Sequence, residues 1–343
     1  METLYRKYRP KNFKEVSGQD HIVSVLEASI KKENISHAYL FSGSRGTGKT
    51  SIARILAREI GTHENDLYEM DAASQSGVDD IRALTEGVNT LPFQSKYKVY
   101  ILDEAHMLSK SAWNALLKTL EEPPKYVIFI LATTELEKVP ETVISRCQTF
   151  LFKKPSEAVL KSVIAEAVKK EGMKMDGDAV ELIALLSEGS FRDAYGILQK
   201  VLTISKDKNI EAEDVEKVTG APRHQTVNEV VLAISKGDSQ KALEAISSAV
   251  KSGTEIKTFL KLLIYKMRAV LLLRFDSKSS THLSDRFSKE DLEMLGEIAK
   301  DKTSKINAGS LLEILNCYSS VGRFVVPELP LELALMKILG EKE

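Results

Sequence analysis

The chain has 343 residues, of which 43% are hydrophobic and 28% are charged, as is typical of a globular protein. This length predicts two or three domains rather than one core. The 48 Lys and Arg residues are balanced by 49 Asp and Glu residues, so overall charge does not indicate a nucleic-acid-binding protein, although a local basic surface stays possible.

Cysteine content and hydropathy exclude further classes of protein. Cys147 and Cys317 lie far apart, which gives neither a disulfide framework nor a set of zinc ligands. The apolar segments at 127–132 and 259–275 are too short, or too interrupted by Lys and Arg, to cross a bilayer. The N-terminal residues have no apolar stretch behind their charge, unlike a secretory signal. We therefore expect a cytoplasmic protein without a membrane partner.

The first 152 residues alternate strand-like and helix-like segments. Short apolar runs rich in β-branched and aromatic residues predict strands that are buried on both faces. Between them, apolar residues recur at helical spacing. The pattern predicts a doubly wound α/β domain with a parallel sheet. The predicted strands are 38–41, 67–70, 99–102, 127–131 and 149–152, and the predicted helices are 50–60, 78–89 and 111–120.

Beyond Lys154 and Pro155 the pattern becomes almost purely helical. A small helical domain ends near residue 220, and a further helical block follows. This last block has no catalytic cluster, so we interpret it as a packing or assembly domain. The predicted helices are 156–171, 176–187, 190–205, 212–218, 227–236, 239–252, 254–275, 289–300 and 308–321.

A phosphate-binding loop lies between the first predicted strand and the helix that follows it. Residues 43–50 match the pattern G-x-x-x-x-G-K-[ST]. Glycines let backbone N–H groups turn toward phosphate oxygens, and the helix N-terminus adds its positive dipole end. Lys49 would reach the β and γ phosphates, and the Thr50 hydroxyl would bind Mg²⁺. The predicted nucleotide-binding set is Gly43, Ser44, Arg45, Gly46, Thr47, Gly48, Lys49, Thr50 and Ser51.

The strand predicted at 99–102 ends in two acids, Asp103 and Glu104. Asp103 would hold Mg²⁺ through water. A carboxylate placed beyond the metal-binding Asp can activate a water molecule, so Glu104 favours hydrolysis over phosphoryl transfer to a substrate hydroxyl. Thr133 and Thr134 follow the next buried strand and would reach the same sheet edge, where one of them would orient the water or contact the γ phosphate. A threonine at a strand end is as often a turn former as a functional residue, so the sequence leaves this role open.

Two arginines, Arg146 and Arg192, lie near predicted element boundaries. A guanidinium aimed at the γ phosphate neutralises transition-state charge. A single Arg is nevertheless most often a surface residue, so spacing alone assigns neither of them a role.

Seven segments together resemble the AAA+ clamp-loader ATPases, and most closely the bacterial DNA polymerase III gamma/tau family. The resemblance is strong over residues 1 to about 220, and beyond them it extends to helical character. The segments are YRKYRP (5–10), VSGQ (16–19), HAYLFSG (37–43), DEAH (103–106), LEEPP (120–124), LATT (131–134) and SRC (145–147).

This resemblance implies three domains: a RecA-like ATPase core at 1–152, a helical lid at 153–221 and a helical collar at 222–343 that holds a ring of five subunits. It implies ATP and Mg²⁺ as ligands. The implied partners are the other loader subunits, a sliding clamp and primer–template DNA. ATP would order the ring so that it opens the clamp, and hydrolysis would release the clamp on DNA.

The family also implies roles for single residues. Arg146 resembles an arginine finger that acts on ATP bound by the neighbouring subunit, and Arg192 resembles the lid arginine of its own subunit. Thr134, or its neighbour Thr133, resembles the polar sensor of the core. His106 belongs to the D-E-x-H run, where a structural role is expected more than a catalytic one. The residues that fall where the family packs adenine and ribose are Tyr8, Arg9, Pro10, Val16 and Gln19.

One departure from the family is large. Its zinc module normally lies between the phosphate-loop helix and the next strand, yet residues 61–66 lead straight to that strand here. Archaeal and eukaryotic small clamp-loader subunits also lack the module, so the ATPase need not suffer. The long tau extension is likewise missing from the sequence, so tethering of polymerase and helicase is not inferred.

Several alternatives stay open. Another AAA+ motor, such as a branch-migration helicase, would need an extra hairpin or winged helix, against which the helical C-terminus argues. A scaffold that binds but does not hydrolyse nucleotide is opposed by Lys49, Asp103 and Glu104. A metabolic kinase is opposed by the same acid pair. DNA contact is expected at 74–82 and 96–98.

Overall fold

The computed structural model describes residues 2–205, 209–276, 283 and 287–340. The chain divides into two compact units. The first comprises Met1–Leu160 with Ser187–Gly196, and the second comprises Lys161–Leu186 with Ile197–Glu343. The three-domain division implied by the sequence stays a prediction.

The first unit is built on a five-stranded sheet in the order β2-β3-β4-β1-β5. Every neighbouring pair of strands is parallel, which confirms the predicted sheet. Each predicted strand is present, with its ends moved by two residues at most. The strands are β1 (Ala38–Ser42), β2 (Leu67–Asp71), β3 (Lys98–Asp103), β4 (Val127–Thr133) and β5 (Gln148–Leu151).

Alternate residues of the central strands pack into two separate cores, one on each face of the sheet. Leu40, Leu102 and Leu131 lie in one core, whereas their neighbours Phe41 and Ile101 lie in the other. Because successive strand side chains point to opposite faces, a strand that is apolar at every position needs a helical layer on both sides. The sheet is therefore the middle layer of three.

The helices of the first unit supply the two outer layers. Ile22 and Leu26 of one helix, and Ile52 of the phosphate-loop helix, pack into the same core, while Ile81 and Leu116 belong to the opposite one. The sequence did not predict the first of these helices, because Ile22 and Leu26 are its only buried residues and its apolar pattern is short. The helices wholly within this unit are Leu4–Lys7, Asp20–Lys31, Lys49–Glu59, Val78–Val88, Lys110–Glu121 and Glu141–Ile144.

The residues described in the second unit are helical apart from two short strands. β6 (Lys174–Met175) and β7 (Asn209–Ile210) form a parallel pair, and the Asp176 N–H donates to the Ile210 carbonyl oxygen. The prediction that this part of the chain is almost purely helical agrees with the structure, and the two strands were not predicted because two residues are too few to show a period of two. The helices wholly within this unit are Gly177–Leu186, Ala212–Thr219, His224–Lys236, Ser239–Lys251, Ile256–Phe275, Lys289–Lys300, Ala308–Ser320 and Leu329–Leu339.

Two helices, Glu157–Lys170 and Phe191–Ile204, begin in the first unit and end in the second. Among the helices that the structure describes, none is both long and apolar enough to cross a membrane.

A buried ion pair lies inside the helical core of the second unit. Lys266 Nζ lies 2.6 Å from Asp291 Oδ2, and both side chains are almost fully buried. Although burial raises the pKa of Asp291, hydrogen bonds from His224, Lys266 and Asn228 lower it to about 2. His224 and Asn228, Lys266, and Asp291 lie on three different helices, which these hydrogen bonds join. Removing one member of the ion pair would leave an uncompensated buried charge, so the pair stabilises the packing of these three helices.

A second buried carboxylate, Asp66, holds the loop that precedes β3. Its oxygens accept hydrogen bonds from the backbone N–H groups of Phe93, Gln94 and Ser95, the last two at 2.8 Å. Although burial raises the pKa of Asp66, these hydrogen bonds outweigh that effect and lower it to about 2. The loop is thereby fixed while the Phe93 side chain stays exposed.

Replacing Asp66 with Asn should loosen this loop, because the amide group would turn N–H donors toward backbone donors. A hydrogen bond to a charged group contributes about 1.5–3 kcal/mol, so amide exchange at 93–95 should accelerate roughly 10- to 100-fold. Hydrogen–deuterium exchange measures this, with Asp79→Asn on the exposed surface as the control.

The wild-type loop should also loosen in acid. Because the folded pKa of Asp66 is about 2 and its ordinary value is 3.8, the stabilisation is complete above pH 4 and is lost as the pH falls toward 2. Unchanged exchange in Asp66→Asn at neutral pH would show that the carboxylate does not hold the loop.

Candidate functional site

Three neighbouring strands bring the predicted site residues to one edge of the sheet. The order β3-β4-β1 places Asp103, Thr133 and the start of the phosphate loop side by side. Ser42 is paired with Thr133, and the Gly43 N–H donates to the Thr133 carbonyl oxygen at 3.2 Å. Since the carboxyl ends of parallel strands meet at a common edge, this is where an α/β sheet binds ligands.

The phosphate loop passes so close to a second segment that Gly46 has no room for a side chain. A Cβ atom at Gly46 would lie 2.0 Å from Ser190 Oγ, and the backbone φ of +74° is one that side chains rarely adopt. The Phe191 N–H donates to the Gly46 carbonyl oxygen at 3.0 Å. The loop is therefore held from the side opposite the sheet.

Lys49 lies within the loop as a buried cation. Its Nζ donates to the carbonyl oxygens of Gly43, at 2.8 Å, and of Ser44, at 3.0 Å. Burial lowers the pKa of Lys49, and the nearby carboxylates of Glu104 and Asp103 act in the opposite direction. Since the backbone N–H groups of such a loop attract anions, a charge at this position suits a bound phosphate.

The helix that carries Lys49 also contributes a candidate metal ligand. Thr50 Oγ1 donates to Asp103 Oδ2 at 2.7 Å. A hydroxyl and a carboxylate beside a phosphate loop are the hard oxygen ligands that Mg²⁺ accepts together with phosphate oxygens. The residues of this cluster therefore fit a nucleoside triphosphate with Mg²⁺.

Glu104 follows Asp103 in a left-handed conformation, with φ of +48°. Its Oε2 accepts a hydrogen bond from Thr134 Oγ1 at 3.2 Å. Thr133 is fully buried, and its hydroxyl lies 3.1 Å from His106 Nδ1. The sequence left both threonines open as the polar sensor, and of the two it is Thr134 whose hydroxyl donates to the Glu104 carboxylate.

Arg192 lies on the same side of the phosphate loop as Ser190. Its guanidinium carbon is 5.2 Å from the centre of the Tyr5 ring, a distance at which a cation is attracted to an aromatic face. Tyr8 stacks on Tyr195 with ring centres 5.8 Å apart. The segment predicted to contact adenine and ribose therefore packs against the start of the helix that carries Arg192.

Gln19 is buried, and its amide is engaged by the backbone. It donates to the carbonyl oxygens of Thr47, at 3.3 Å, and Lys153, at 2.7 Å, and it accepts from the Lys153 N–H at 3.3 Å. Val16 packs against the sheet core rather than into open space. Both residues thus brace the nucleotide site in this conformation, while Arg9 and Pro10 lie half-buried beside them.

Arg146 is not part of this cluster. Its Nη2 donates to Glu121 Oε1 at 2.7 Å, and its Nη1 donates to the Thr142 carbonyl oxygen at 2.5 Å and to Ser145 Oγ at 3.3 Å. Within the described part of the chain, no hydrogen bond joins Arg146 to residues 43–50. The described partners of Arg146 are therefore Glu121, Thr142 and Ser145.

Sequence reasoning missed several of these partners. Ser190 is the first residue of the helix predicted at 190–205 and stands just before the observed one, a common capping position, but nothing in its spacing shows that its side chain lies against Gly46. Tyr195 lies inside the helix predicted at 190–205, and Glu121 follows the helix predicted at 111–120 within the LEEPP segment, but neither position indicates these contacts. Their contacts arise from the tertiary fold alone.

One part of the expected DNA surface is wrong. Lys98 is 4% exposed, and its Nζ donates to the Gly87 carbonyl oxygen and to Thr90 Oγ1, both at 2.7 Å. Lys98 is the first residue of β3, and its ammonium group is bound by Gly87 and Thr90, so its charge does not reach solvent. Lys96 and Arg82 are exposed.

Family models match two parts of the chain. The model for "DNA polymerase III, delta subunit" matches residues 18–77 and 62–156. The model for "DNA polymerase III subunits gamma and tau domain III" matches residues 210–307.

Curated relatives carry the same name over most of the chain. The "DNA polymerase III subunit gamma" of Buchnera aphidicola is 32% identical and covers 92% of this chain and 91% of its own length. The subunit tau of Bacillus subtilis is 34% identical over 98% of this chain and 63% of its own length. The gamma/tau subunit of Mycoplasma pneumoniae is 39% identical over 76% of this chain and 41% of its own. The chain thus spans less than two thirds of the last two relatives.

Solved structures show the fold. The "Holliday junction branch migration motor" RuvB of Thermotoga maritima superimposes with a TM-score of 0.53 at 24% identity, over 66% of this chain and 79% of that one. Together with the parallel sheet, this likeness confirms the predicted AAA+ fold.

Gly46→Ala should weaken nucleotide binding, because the new Cβ must displace either Ser190 or the loop. A strained backbone position costs about 1–3 kcal/mol, which predicts a Kd for a fluorescent ATP analogue roughly 5- to 100-fold higher. Gly61→Ala is the matched control, since Gly61 also has a positive φ, of +83°, but no neighbouring atom within 4 Å.

The double variant Gly46→Ala/Ser190→Gly separates the two causes. Removing the Ser190 side chain should recover part of the affinity and leave the backbone strain. Equal affinities in wild type and Gly46→Ala would show that the close contact does not shape the nucleotide site.

Proposed function

The chain belongs to the family of DNA polymerase III gamma/tau subunits, and on that premise we propose that it hydrolyses ATP as a subunit of a loader that places a sliding clamp on primed DNA. The observation that carries the proposal is the cluster of Lys49, Thr50, Asp103 and Glu104 at one edge of the sheet. The cluster combines a phosphate cradle, oxygen ligands for a metal and a carboxylate beyond them.

Each member of the cluster has a separate task. Backbone N–H groups of the phosphate loop and Lys49 bind the phosphates, and Thr50 and Asp103 would hold Mg²⁺. When bound there, the ion would supply positive charge beside the phosphate oxygens. Glu104 orients and deprotonates the attacking water, and the Thr134 hydroxyl holds the Glu104 carboxylate in place.

The two arginines act on different nucleotides. Arg192 packs beside the chain's own phosphate loop and supports its own site. Arg146 is engaged with Glu121, in contact with none of the loop residues described, which suits action on the ATP of a neighbouring subunit. An arginine supplied in trans accelerates phosphoryl transfer by about 10³- to 10⁵-fold.

Exposed apolar side chains on the last two helices support assembly with other subunits. Leu312 and Leu315 are 58% and 42% exposed, and Leu333 and Met336 are 53% and 55% exposed. Each pair is three residues apart and so lies on one helix face. A neighbouring collar would bury both faces, in agreement with the assembly role proposed for residues 222–343.

Clamp loading then follows from differential affinity. ATP favours one arrangement of the ring, which binds and opens the clamp, and hydrolysis removes that preference. Primed DNA would contact the exposed residues at 74–82 and Lys96 through its phosphates.

The function is tested by the steady-state ATPase rate of the chain assembled with the other loader subunits. Adding a bacterial sliding clamp and primed DNA together should raise kcat, and Glu104→Gln should lower it by about 10²-fold or more while ATP still binds. The matched control is Glu137→Gln, an exposed carboxylate near the same sheet edge. No stimulation by clamp and DNA would count against loading.

Action of Arg146 in trans is tested by mixing two inactive variants. Lys49→Ala cannot bind ATP productively, and Arg146→Ala cannot complete its neighbour's site. In mixed rings, some interfaces pair an intact Lys49 with an intact Arg146, so the ATPase rate should exceed that of either variant alone.

Arg58→Ala is the control, because Arg58 is an exposed arginine outside the phosphate loop whose loss should not reproduce the Arg146→Ala phenotype. If mixing recovers nothing although the rings assemble, each subunit depends on its own Arg146 and the assignment in trans is wrong.

A further inference from the structure

His106 is a buried side chain that the proposed chemistry has not used. Its side chain is 6% exposed, and both ring nitrogens have polar neighbours. Nδ1 lies 3.1 Å from Thr133 Oγ1, and Nε2 lies 3.2 Å from Glu135 Oε1. Buried polar atoms with partners on two sides hold a ring in one orientation.

The surrounding hydrogen bonds select one tautomer of His106. The Glu135 carboxylate only accepts hydrogen bonds, so in the neutral ring Nε2 carries the proton and donates it to Glu135. Nδ1 is then an acceptor, and the Thr133 hydroxyl, whose oxygen accepts the Glu135 N–H at 3.0 Å, donates to it. Lys138 Nζ lies 2.8 Å from the other Glu135 oxygen. Every group in this arrangement has the partner it needs.

The imidazole of His106, held in this orientation, lies beside the Glu104 carboxylate. His106 Nδ1 is 3.6 Å from Glu104 Oε2, and Thr134 Oγ1 donates to the same oxygen at 3.2 Å. The first distance is too long for a hydrogen bond and short enough to block rotation of the carboxylate. Thr134 and His106 therefore hold the same oxygen of Glu104 from two sides.

We propose that His106, anchored by Glu135, is a positioning residue that sets the orientation of the Glu104 carboxylate for attack of water on ATP. The inference rests on the proposed function, because it gives Glu104 the role of general base. Among the described residues, no hydrogen bond or ion pair joins His106 or Glu135 to Lys49, Thr50 or the loop, so both should act on the chemical step rather than on nucleotide binding.

Asparagine and glutamine at position 106 separate the two sides of the ring. The amide of Asn reaches the place of Nδ1, beside Thr133 and Glu104, whereas the amide of Gln reaches the place of Nε2, beside Glu135. Positioning through Nδ1 therefore predicts that Asn preserves kcat better than Gln. A histidine that merely fills space predicts the opposite order, because Gln is closer to its volume.

The experiment measures single-turnover ATP hydrolysis by the full chain assembled with the other loader subunits, clamp and primed DNA. A misplacement near 1 Å costs about 10²-fold in rate, so His106→Ala and His106→Gln should lose about 10²-fold in the single-turnover rate. His106→Asn keeps the side of Nδ1 but not the contact with Glu135, so it should lose about 10-fold. Glu135→Ala should lose about 10-fold. The Kd of a fluorescent ATP analogue and the thermal midpoint should stay near wild type, as should every property of the exposed control Glu137→Gln.

The outcomes separate the inference from the function beneath it. Wild-type kcat in His106→Ala, better activity in Gln than in Asn, or a parallel loss of ATP affinity would each overturn the positioning role. Wild-type hydrolysis by Glu104→Gln would instead overturn the proposed catalytic role of Glu104. Loss of activity in Glu104→Gln together with the predicted order at position 106 supports both.

Discussion

The hydrogen bond between Thr50 and Asp103 is the interaction on which the rest of the site depends. It joins the phosphate-loop helix, which follows β1, to the end of β3, and β4 lies between these two strands. The bond can form only because three parallel strands end at the same level. A shift of one residue in the register of β3 would turn Asp103 to the other face of the sheet. The relative positions of the site residues therefore depend on the apolar packing that fixes the register of the strands.

The phosphate loop is also held by contacts from segments outside the sheet. Gly46 touches Ser190 and accepts a hydrogen bond from the backbone of Phe191, and Gln19 ties Thr47 to Lys153. These contacts surround the loop with segments that are distant in sequence. A change in the loop on nucleotide binding must therefore displace or tighten those segments, which is the physical requirement for a switch.

The sequence predicted the sheet well because each of its strands is a short run of apolar residues buried on both faces. The phosphate loop, Asp103 and Glu104 were also predictable, since each follows such a run. The prediction for Lys98 failed because it depended on a tertiary contact. Lys98 was expected to be an exposed cation in a loop, but its side chain is buried. The choice between Thr133 and Thr134 stayed open in the sequence, because it depends on the side-chain directions that the turn after β4 sets. β6 and β7 left no periodic signal.

The surroundings of Arg146 suit a group that completes another molecule's site. A guanidinium has five N–H donors. Three are engaged by Glu121, the Thr142 carbonyl and Ser145, which leaves the Nε proton and one Nη2 proton without a hydrogen bond within the described residues. Three contacts fix the plane of the group, and two donors stay available for a phosphate. If Arg146 acts in trans as proposed, little side-chain entropy is lost on assembly, and an isolated subunit hydrolyses ATP slowly because its own loop lacks this group.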